Sequence, residues 1–311
     1  MRIAIVGAGI AGLSCAEVLQ GAGHPVVLFD KGRGAGGRTA TRRVDTPSGE
    51  VAFDHGAQYF TARDPAFVGL VAQLEASASV ARWRAIGDDA WVGTPGMNAM
   101  ARAMAMPLTI HWNSRIDAIR RVGRHWALDP VTEDRFDAVI IATPAEQAAA
   151  LLAAPAPDIA AIARACVSAP CWTAMVAFDD PIAIGDDVIR DSGIIGWAAR
   201  NSAKPGRSGR EAWVIQANEA WSREHLEDAE SDIVDALLAA LSHAAARPLP
   251  EPFVRLGHRW RYARVNAAHH GSLWDGATGI GATGDWLTAP RIESAWLSGR
   301  DLANRMLGTG P

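Results

Sequence analysis

Apolar and polar positions fall into blocks along this chain, and the first block is the most informative. Ile3, Ala4, Ile5 and Val6 form an apolar run that stops at Gly7-Ala8-Gly9-Ile10-Ala11-Gly12. Its shortness and its glycine terminus predict a buried strand. Helical spacing follows to about Gln20, then a turn at Gly21 to Pro25, then a second apolar run, Val26 to Phe29, ending in Asp30. Strand, glycine turn, helix, strand and terminal acid stand in the order of a dinucleotide-binding unit.

Farther along, Pro65 to Ala76 places Phe67, Leu70, Val71 and Leu74 on one helical face. Ala81 to Ile86 and Ala90 to Val92 read as a hairpin around Gly87-Asp88-Asp89, and Thr94-Pro95-Gly96-Met97 breaks the chain before a helix through about Met104. Leu108 to Trp112, Ile116 to Val122 and His125 to Leu128 predict an antiparallel meander of short strands. It returns in Phe136 to Pro144, a continuous apolar strand of the kind buried on both faces. Ala145 to Ala165, broken by Pro155 and Pro157, reads as linker and helix. Cys171 to Phe178, Gly193 to Arg200 and Ala212 to Ala217 predict an antiparallel sheet. Ser222 is placed to cap one long helix through about Ala246, with Leu226, Ile233, Leu237 and Leu241 as its buried stripe. A last helix spans about Pro290 to Met306, with Ile292, Trp296, Gly299 and Leu302 on one face.

In the first block each residue type has a physical reason. Gly7 allows the sharp turn, Gly9 lets backbone approach a pyrophosphate, and Gly12 lets helix pack closely on sheet. The N–H groups around Ile10 and Ala11 then face the anion at the helix N-terminus. Asp30 falls where an acid accepts hydrogen bonds from ribose hydroxyls. Immediately after it, Lys31-Gly32-Arg33-Gly34-Ala35-Gly36-Gly37-Arg38 sets two guanidiniums among glycines, and Arg33 and Arg38 offer planar bidentate donors to phosphate. The alternative reading of the same segment is a solvated basic loop. Here the chain resembles the flavoprotein amine oxidase superfamily, whose second signature is an arginine-flanked Gly-Gly pair after the acid. The resemblance implies FAD, with Lys31, Gly37 and Arg38 among its contacts.

Phe53-Asp54-His55-Gly56-Ala57-Gln58-Tyr59-Phe60-Thr61 resembles the renalase branch of that superfamily, including bacterial renalase-like proteins. The Lys204-Pro205-Gly206 loop, the His258-Arg259-Trp260-Arg261-Tyr262 run and the C-terminal Gly284-Asp285-Trp286-Leu287 resemble it too. The likeness implies that Gly56, Ala57 and Gln58 contact the flavin and that Tyr59 faces substrate, with His258 and Tyr262 as further catalytic candidates. Strand alternation alone does not decide which of His258, Arg261 and Tyr262 faces the ring. Asp54 and His55 would otherwise form an acid/base pair, against the preferred reading of a packed, hydrogen-bonded histidine. By the superfamily pattern Ile116 meets the adenine, and Ala142 and Thr143 the pyrophosphate side. Gly279 to Gly284 also matches GxGxxG, but too few residues remain for a helix, strand and acid. By its likeness to the C-terminal Gly-Asp pair of many FAD-dependent families, Gly284-Asp285 is expected to close the FAD site, and the last helix, from about Pro290 and carrying Ile292, to point its positive end at the flavin C2 carbonyl.

Composition narrows the picture further. The 311 residues, 49% hydrophobic and 21% charged, suit a soluble protein of one large or two moderate domains. A net charge of −4 argues against nucleic acid as partner. Lysine occurs only at Lys31 and Lys204 against abundant arginine, a genomic bias before a functional sign. Twelve tryptophans exceed what the nucleotide motifs use; most fill cores, and two or three beside a flavin are enough to wall a pocket. Cys15, Cys166 and Cys171 lack metal-ligand spacing, are odd in number and lie away from the C-terminal motif. They point to a reducing compartment, no metal and non-covalent FAD. Cleavage of the N-terminal apolar run as a signal peptide would destroy the phosphate loop, and no window is long enough to span a bilayer. A cytoplasmic protein without membrane partners is expected.

The expected architecture is α/β. A Rossmann-type FAD-binding domain from residues 1–58, 96–150 and 277–311 interleaves with an α+β substrate domain from 59–95 and 151–276, built on an antiparallel sheet, as in amine oxidase and p-hydroxybenzoate hydroxylase-like folds. With one credible dinucleotide turn, the substrate itself supplies the hydride to flavin N5, and O2 is the expected re-oxidant. Resemblance to renalase implies a dihydronicotinamide dinucleotide as substrate, misreduced isomers of NAD(P) being oxidised to the aromatic form with release of H2O2. The runner-up is a flavin amine oxidase; these commonly use a lysine bridged by water to flavin N5, and only Lys204 is available, in a loop unlike theirs. A non-catalytic FAD- or NAD-binding protein is the third reading.

Overall fold

The computed structural model describes residues 1–47, 49–130, 134–207 and 209–309. The chain opens with β1 (Ile3–Val6), α1 (Ile10–Gly21) and β2 (Val26–Phe29). A hairpin of β3 (Thr41–Thr46) and β4 (Gly49–Asp54) leads to β5 (Phe60–Thr61), α2 (Pro65–Ala76), β6 (Val80–Arg82), β7 (Ala90–Gly93) and α3 (Ala99–Ala105). Next come β8 (Thr109–His111), the hairpin of β9 (Ala118–Val122) and β10 (His125–Asp129), then β11 (Ala138–Ile141), α4 (Ala145–Leu152) and α5 (Pro157–Ala165). The second half holds β12 (Ser168–Phe178), β13 (Val188–Ser192), β14 (Ile195–Arg200), β15 (Glu211–Ala217), α6 (Glu219–Glu224), α7 (Glu230–Ala244) and β16 (Val254–Val265). The chain closes with β17 (Leu273–Asp275), β18 (Ile280–Ala282) and α8 (Ile292–Leu307).

Two sheets organise the molecule. The larger has the order β17-β18-β11-β1-β2-β8, with β17 alone running antiparallel to its neighbour. Every residue of β1 and β11 is buried, because helices cover both faces; this is why these runs do not alternate. On one face α1 and α8 meet so closely that a Cβ on Gly299 would lie 2.2 Å from the Ala11 carbonyl oxygen. Leu13, Leu19, Trp296 and Leu302 fill the core there, joined by Phe60, Phe67, Trp83 and Trp91 from residues 59–95. On the other face α4, α5 and the β9–β10 hairpin pack Trp126, Leu128, Leu152 and Ile159 against Phe29 and Ile141.

The second sheet is antiparallel, in the order β13-β14-β15-β12-β16. Helix α7 covers one face with Ile233, Val234, Leu237 and Leu241, against Trp172, Trp213 and Ile215. The opposite face sets Met175, Ala177 and Val214 on Val51 and Phe53 of β4, so the β3–β4 hairpin packs on the second sheet. An α/β nucleotide-binding fold with an antiparallel second layer is therefore observed.

Several local expectations are corrected. Ser222 caps nothing: Asn218 is the N-cap of α6, accepting from Trp221 N at 2.9 Å, while buried Ser222 accepts from Trp172 N at 3.1 Å. The expected long helix is two, because carbonyls in the intervening turn bond elsewhere. Trp172 Nε1 donates to His225 O at 2.8 Å and Arg259 Nη1 to Leu226 O at 2.7 Å. Leu226 thus sits in that turn and not on a helical stripe. β8 does not join a meander with β9; it extends the large sheet, parallel to β2, with Val27 opposite Thr109. The strand expected over 81–86 ends at Arg82, and 145–165 forms two helices instead of linker and helix.

Candidate active site

The carboxyl ends of β1, β2, β11 and β18 open into one cavity of about 1960 Å³, which runs across to β16 at the edge of the second sheet. Ligands of parallel α/β sheets bind outside the strand carboxyl ends. Gly7 has φ +108°, and a Cβ there would lie 2.6 Å from Ala142 O. A Cβ on Gly12 would lie 2.1 Å from Gly7 O, so the helix seats against the turn; Gly12 itself does not line the cavity. A Cβ on Gly9 would meet no protein atom within 4 Å, which leaves the α1 N-terminus open to an anion. Gly7, Gly9, Ile10 and Ala11 all wall the cavity.

Asp30 is fixed from both sides: Oδ2 accepts from Ala8 N and Oδ1 from Gly32 N, each at 2.7 Å. Lys31, beside it in the wall, donates to Gln147 Oε1 at 3.2 Å. Arg33 stands outside the wall and is exposed; Gly37 and Arg38 line it. The Arg38 fork grips Asp285, Nη1 to Oδ2 at 2.7 Å and Nη2 to Oδ1 at 2.6 Å, so an early and a late segment are locked beside Gly284. Ile116, Ala142 and Thr143 complete this part, and Thr143 Oγ1 is buried with no hydrogen-bond partner. Arg291, Ile292 and Ala295 at the start of α8 line the cavity, while Glu293 in its first turn accepts from Arg63 N and Asp64 N at 2.6 and 2.7 Å.

Gly56, Ala57, Gln58 and Tyr59 form another stretch of wall. The Tyr59 ring stacks on Trp197, centroids 5.5 Å apart and planes 29° apart. From β16 come His258, Trp260 and Tyr262. His55 stacks on Trp260 at 5.1 Å, and His258 stands edge-on to both. Burial, reinforced by His258, takes the His55 imidazole down to about 4; burial and Arg42 lower His258 as well. His258 therefore presents a neutral ring at neutral pH.

Asp54 does not pair with His55. Its fully buried carboxylate takes Thr41 Oγ1 and Met97 N on Oδ1, at 2.8 and 2.9 Å, and Lys204 Nζ on Oδ2 at 3.4 Å, with Arg207 Nη2 also on Oδ2. Burial alone would raise this carboxyl, but Lys204, Arg207 and the Met97 N–H bring it down to about 2. Sequence reading missed this cluster, since its members lie 150 residues apart; the scarcity of lysine was its one visible sign. It also missed Gln216, whose Nε2 donates to Gly56 O at 2.8 Å. Cys166, expected far from the C-terminal motif, places Sγ 3.7 Å from Trp286 O, away from the cavity wall; Cys171 lines it.

A family model described as flavin containing amine oxidoreductase matches residues 79–307, and one described as an NAD(P)-binding Rossmann-like domain matches 5–74. The chain belongs to the flavin containing amine oxidoreductases. Two curated relatives match over a short stretch of this chain and span little of their own length. The L-amino-acid oxidase of Gloydius blomhoffii is 54% identical over 44 residues, 14% of this chain and 9% of that one, and the L-amino-acid oxidase of Demansia vestigiata is 55% identical over 42 residues, 14% and 8%. Solved structures align end to end. Cyclohexylamine oxidase from Brevibacterium oxydans IH-35A has a TM-score of 0.72 at 13% identity, covering 99% of this chain and 98% of that one. A candidate protoporphyrinogen oxidase from Exiguobacterium sp. 255-15 has a TM-score of 0.74 at 12% identity, covering 98% of each.

FAD is the cofactor of this family, and the residues present fit it. The open space over Gly9 suits a pyrophosphate, the fixed Asp30 carboxylate a ribose, and the partnerless Thr143 hydroxyl a polar ligand atom. Among the described residues no group of three or more His, Cys, Asp or Glu is arranged to hold a metal ion, and no helix is long and apolar enough to cross a membrane.

Proposed function

We propose that this chain is a FAD-dependent oxidase that takes a hydride from a flat dihydronicotinamide donor, a misreduced isomer of NAD(P), and passes the electrons to O2. The observation that carries the reading is the extent of the cavity. Pockets for drug-sized ligands measure about 300–1,000 Å³; about 1960 Å³ leaves room for a second ligand of dinucleotide size beside the cofactor.

Bound FAD supplies the hydride acceptor. The chain's own residues do the rest: Tyr59 and Trp197 offer a stacked aromatic wall for a flat ring, while His258, Trp260 and Tyr262 bound the cavity on the β16 side and limit water. His258, held neutral, accepts or donates a hydrogen bond without adding charge to a donor that becomes cationic. Overall the donor loses two electrons and one proton as its ring becomes aromatic, and O2 takes both electrons with that proton and one from solvent to leave as H2O2. Among described wall residues the lysine is Lys31, at the ribose end; Lys204 is committed to Asp54 and Gln58. This favours a donor needing no lysine over an amine.

The alternative, a flavin amine oxidase, draws on the family itself. Anaerobic addition of dihydronicotinamide isomers of NAD(P), and separately of a primary amine, tests both. Bleaching of the flavin by an isomer and not by the amine is expected. Bleaching by the amine alone overturns the proposal in favour of an amine oxidase, and no bleaching by either marks a non-catalytic binder.

A further inference from the structure

Behind the wall segment 56–59 lies a charged cluster that the proposed hydride transfer leaves unused. Lys204 Nζ, fully buried, donates to Gln58 Oε1 at 3.0 Å and to Asp54 Oδ2 at 3.4 Å, and lies 5.2 Å from the centre of the Trp83 ring. Arg207, 3% exposed, grips the same Asp54 oxygen and donates to Gly93 O and Pro205 O. Two cations share one carboxylate, so the cluster carries a net positive charge in a region closed to water. Burial lowers the Lys204 ammonium to about 8, against the pull of Asp54 and with some help from Arg207, which leaves it protonated at neutral pH. A buried ammonium with one carboxylate shared between two cations costs several kcal/mol in desolvation, and packing alone does not call for it.

Gln58 links this charge to the cavity. Its carboxamide has one orientation consistent with its surroundings: Oε1 accepts from Lys204, while Nε2 donates to Asp54 O and Gly56 O. Gly56 O also accepts from Gln216, and Ala57 N donates to Arg38 O at 2.8 Å. Gly56, Ala57 and Gln58 all face the cavity, whereas Lys204 sits one side-chain layer behind them.

We propose that Lys204 is a positioning residue for the cofactor: through Gln58 it fixes the 56–58 wall, and with Arg207 it holds an unneutralised positive charge behind that wall, favouring electron-rich forms of the bound flavin. Reduction of flavin adds negative charge, and a fixed buried cation stabilises that charge without reorganisation. The effect is independent of which donor the enzyme oxidises, so its failure is distinguishable from failure of the substrate assignment.

The test is titration of the FAD-loaded protein with sulfite, which adds to electron-poor flavin and bleaches its absorbance, together with the flavin reduction potential measured against a reference dye. Lys204→Met keeps the length of the side chain and removes the charge. Sulfite binding is expected to weaken about tenfold, the scale of one poorly screened charge, with a fall in potential, and Lys204→Arg restores both in part. Gln58→Glu leaves Lys204 in place and sets a carboxylate against it, so the same weakening is expected by a different route. Unchanged sulfite affinity and potential in a flavin-loaded Lys204→Met protein overturn the proposal. So does failure of both Lys204→Met and Gln58→Glu to give a folded apoprotein in thermal melts, which assigns the cluster to folding alone.

Discussion

Two glycine substitutions in the nucleotide turn separate folding from cofactor binding. At Gly9 the backbone has φ −77° and ψ 179°, an extended conformation open to any residue, and a Cβ there meets no protein atom within 4 Å. Gly9→Ala should leave the apoprotein as stable as before, or more stable by about 0.4–1 kcal/mol through loss of unfolded-chain entropy. The methyl group does, however, stand in the space over the α1 N-terminus where the pyrophosphate backbone must come close. An overpacked methyl costs about 1–3 kcal/mol, so FAD affinity should fall about 5- to 150-fold. Gly12→Ala is the counterpart: its Cβ lies 2.1 Å from Gly7 O, so apoprotein stability and FAD binding should both suffer. Thermal melts of the apoprotein and fluorescence titration with FAD read the two quantities independently. Wild-type FAD affinity in Gly9→Ala would refute the placement of the pyrophosphate, and a destabilised Gly9→Ala apoprotein would refute the open space.

Gly299→Ala should destabilise the fold by about 1–3 kcal/mol, since its Cβ would lie 2.2 Å from Ala11 O and 2.9 Å from Cys15 N; an unchanged denaturant midpoint contradicts the α1–α8 packing. A double-mutant cycle on Arg38→Met and Asp285→Asn should give a coupling above about 1 kcal/mol, as hydrogen bonds to charged groups contribute about 1.5–3, and a coupling near zero shows the pair to be screened. His55 gives a pH signature. Burial holds its folded value near 4 against an ordinary 6.5, so below 6.5 the unfolded chain takes up a proton that the folded one refuses. Stability should therefore fall as pH drops from 6.5 towards 4, by up to about 1.4 kcal/mol per pH unit from this group. His55→Phe should flatten that slope in apoprotein melts, and an identical slope removes His55 as its source.

What the sequence made legible follows from where each interaction lies. The glycine turn, the acid after β2 and the buried apolar strands are local patterns, in which one residue's type constrains a neighbour a few positions away. The helix break between α6 and α7 was illegible, because Trp172 and Arg259 reach from other strands to take the carbonyls that a continuous helix would have used. Lys204 and Asp54 were each visible, but nothing local announces that they share a site. Arg33 and Arg38 looked equivalent as phosphate donors, and it is the distant Asp285 that singles out Arg38.

The seam between α1 and α8 also bears on biosynthesis. Helix α8 supplies Ile292 to the same cavity as Gly9 and Ile10, and it packs Gly299 on Ala11. A ribosome adding about 5–20 residues each second releases the first glycine turn long before its covering helix exists. Until that helix emerges, the α1 face that it covers is bare apolar surface. Nascent chains should therefore acquire their yellow prosthetic group only once α8 has emerged, and in the interval depend on whatever shields exposed hydrophobic surface in the cell.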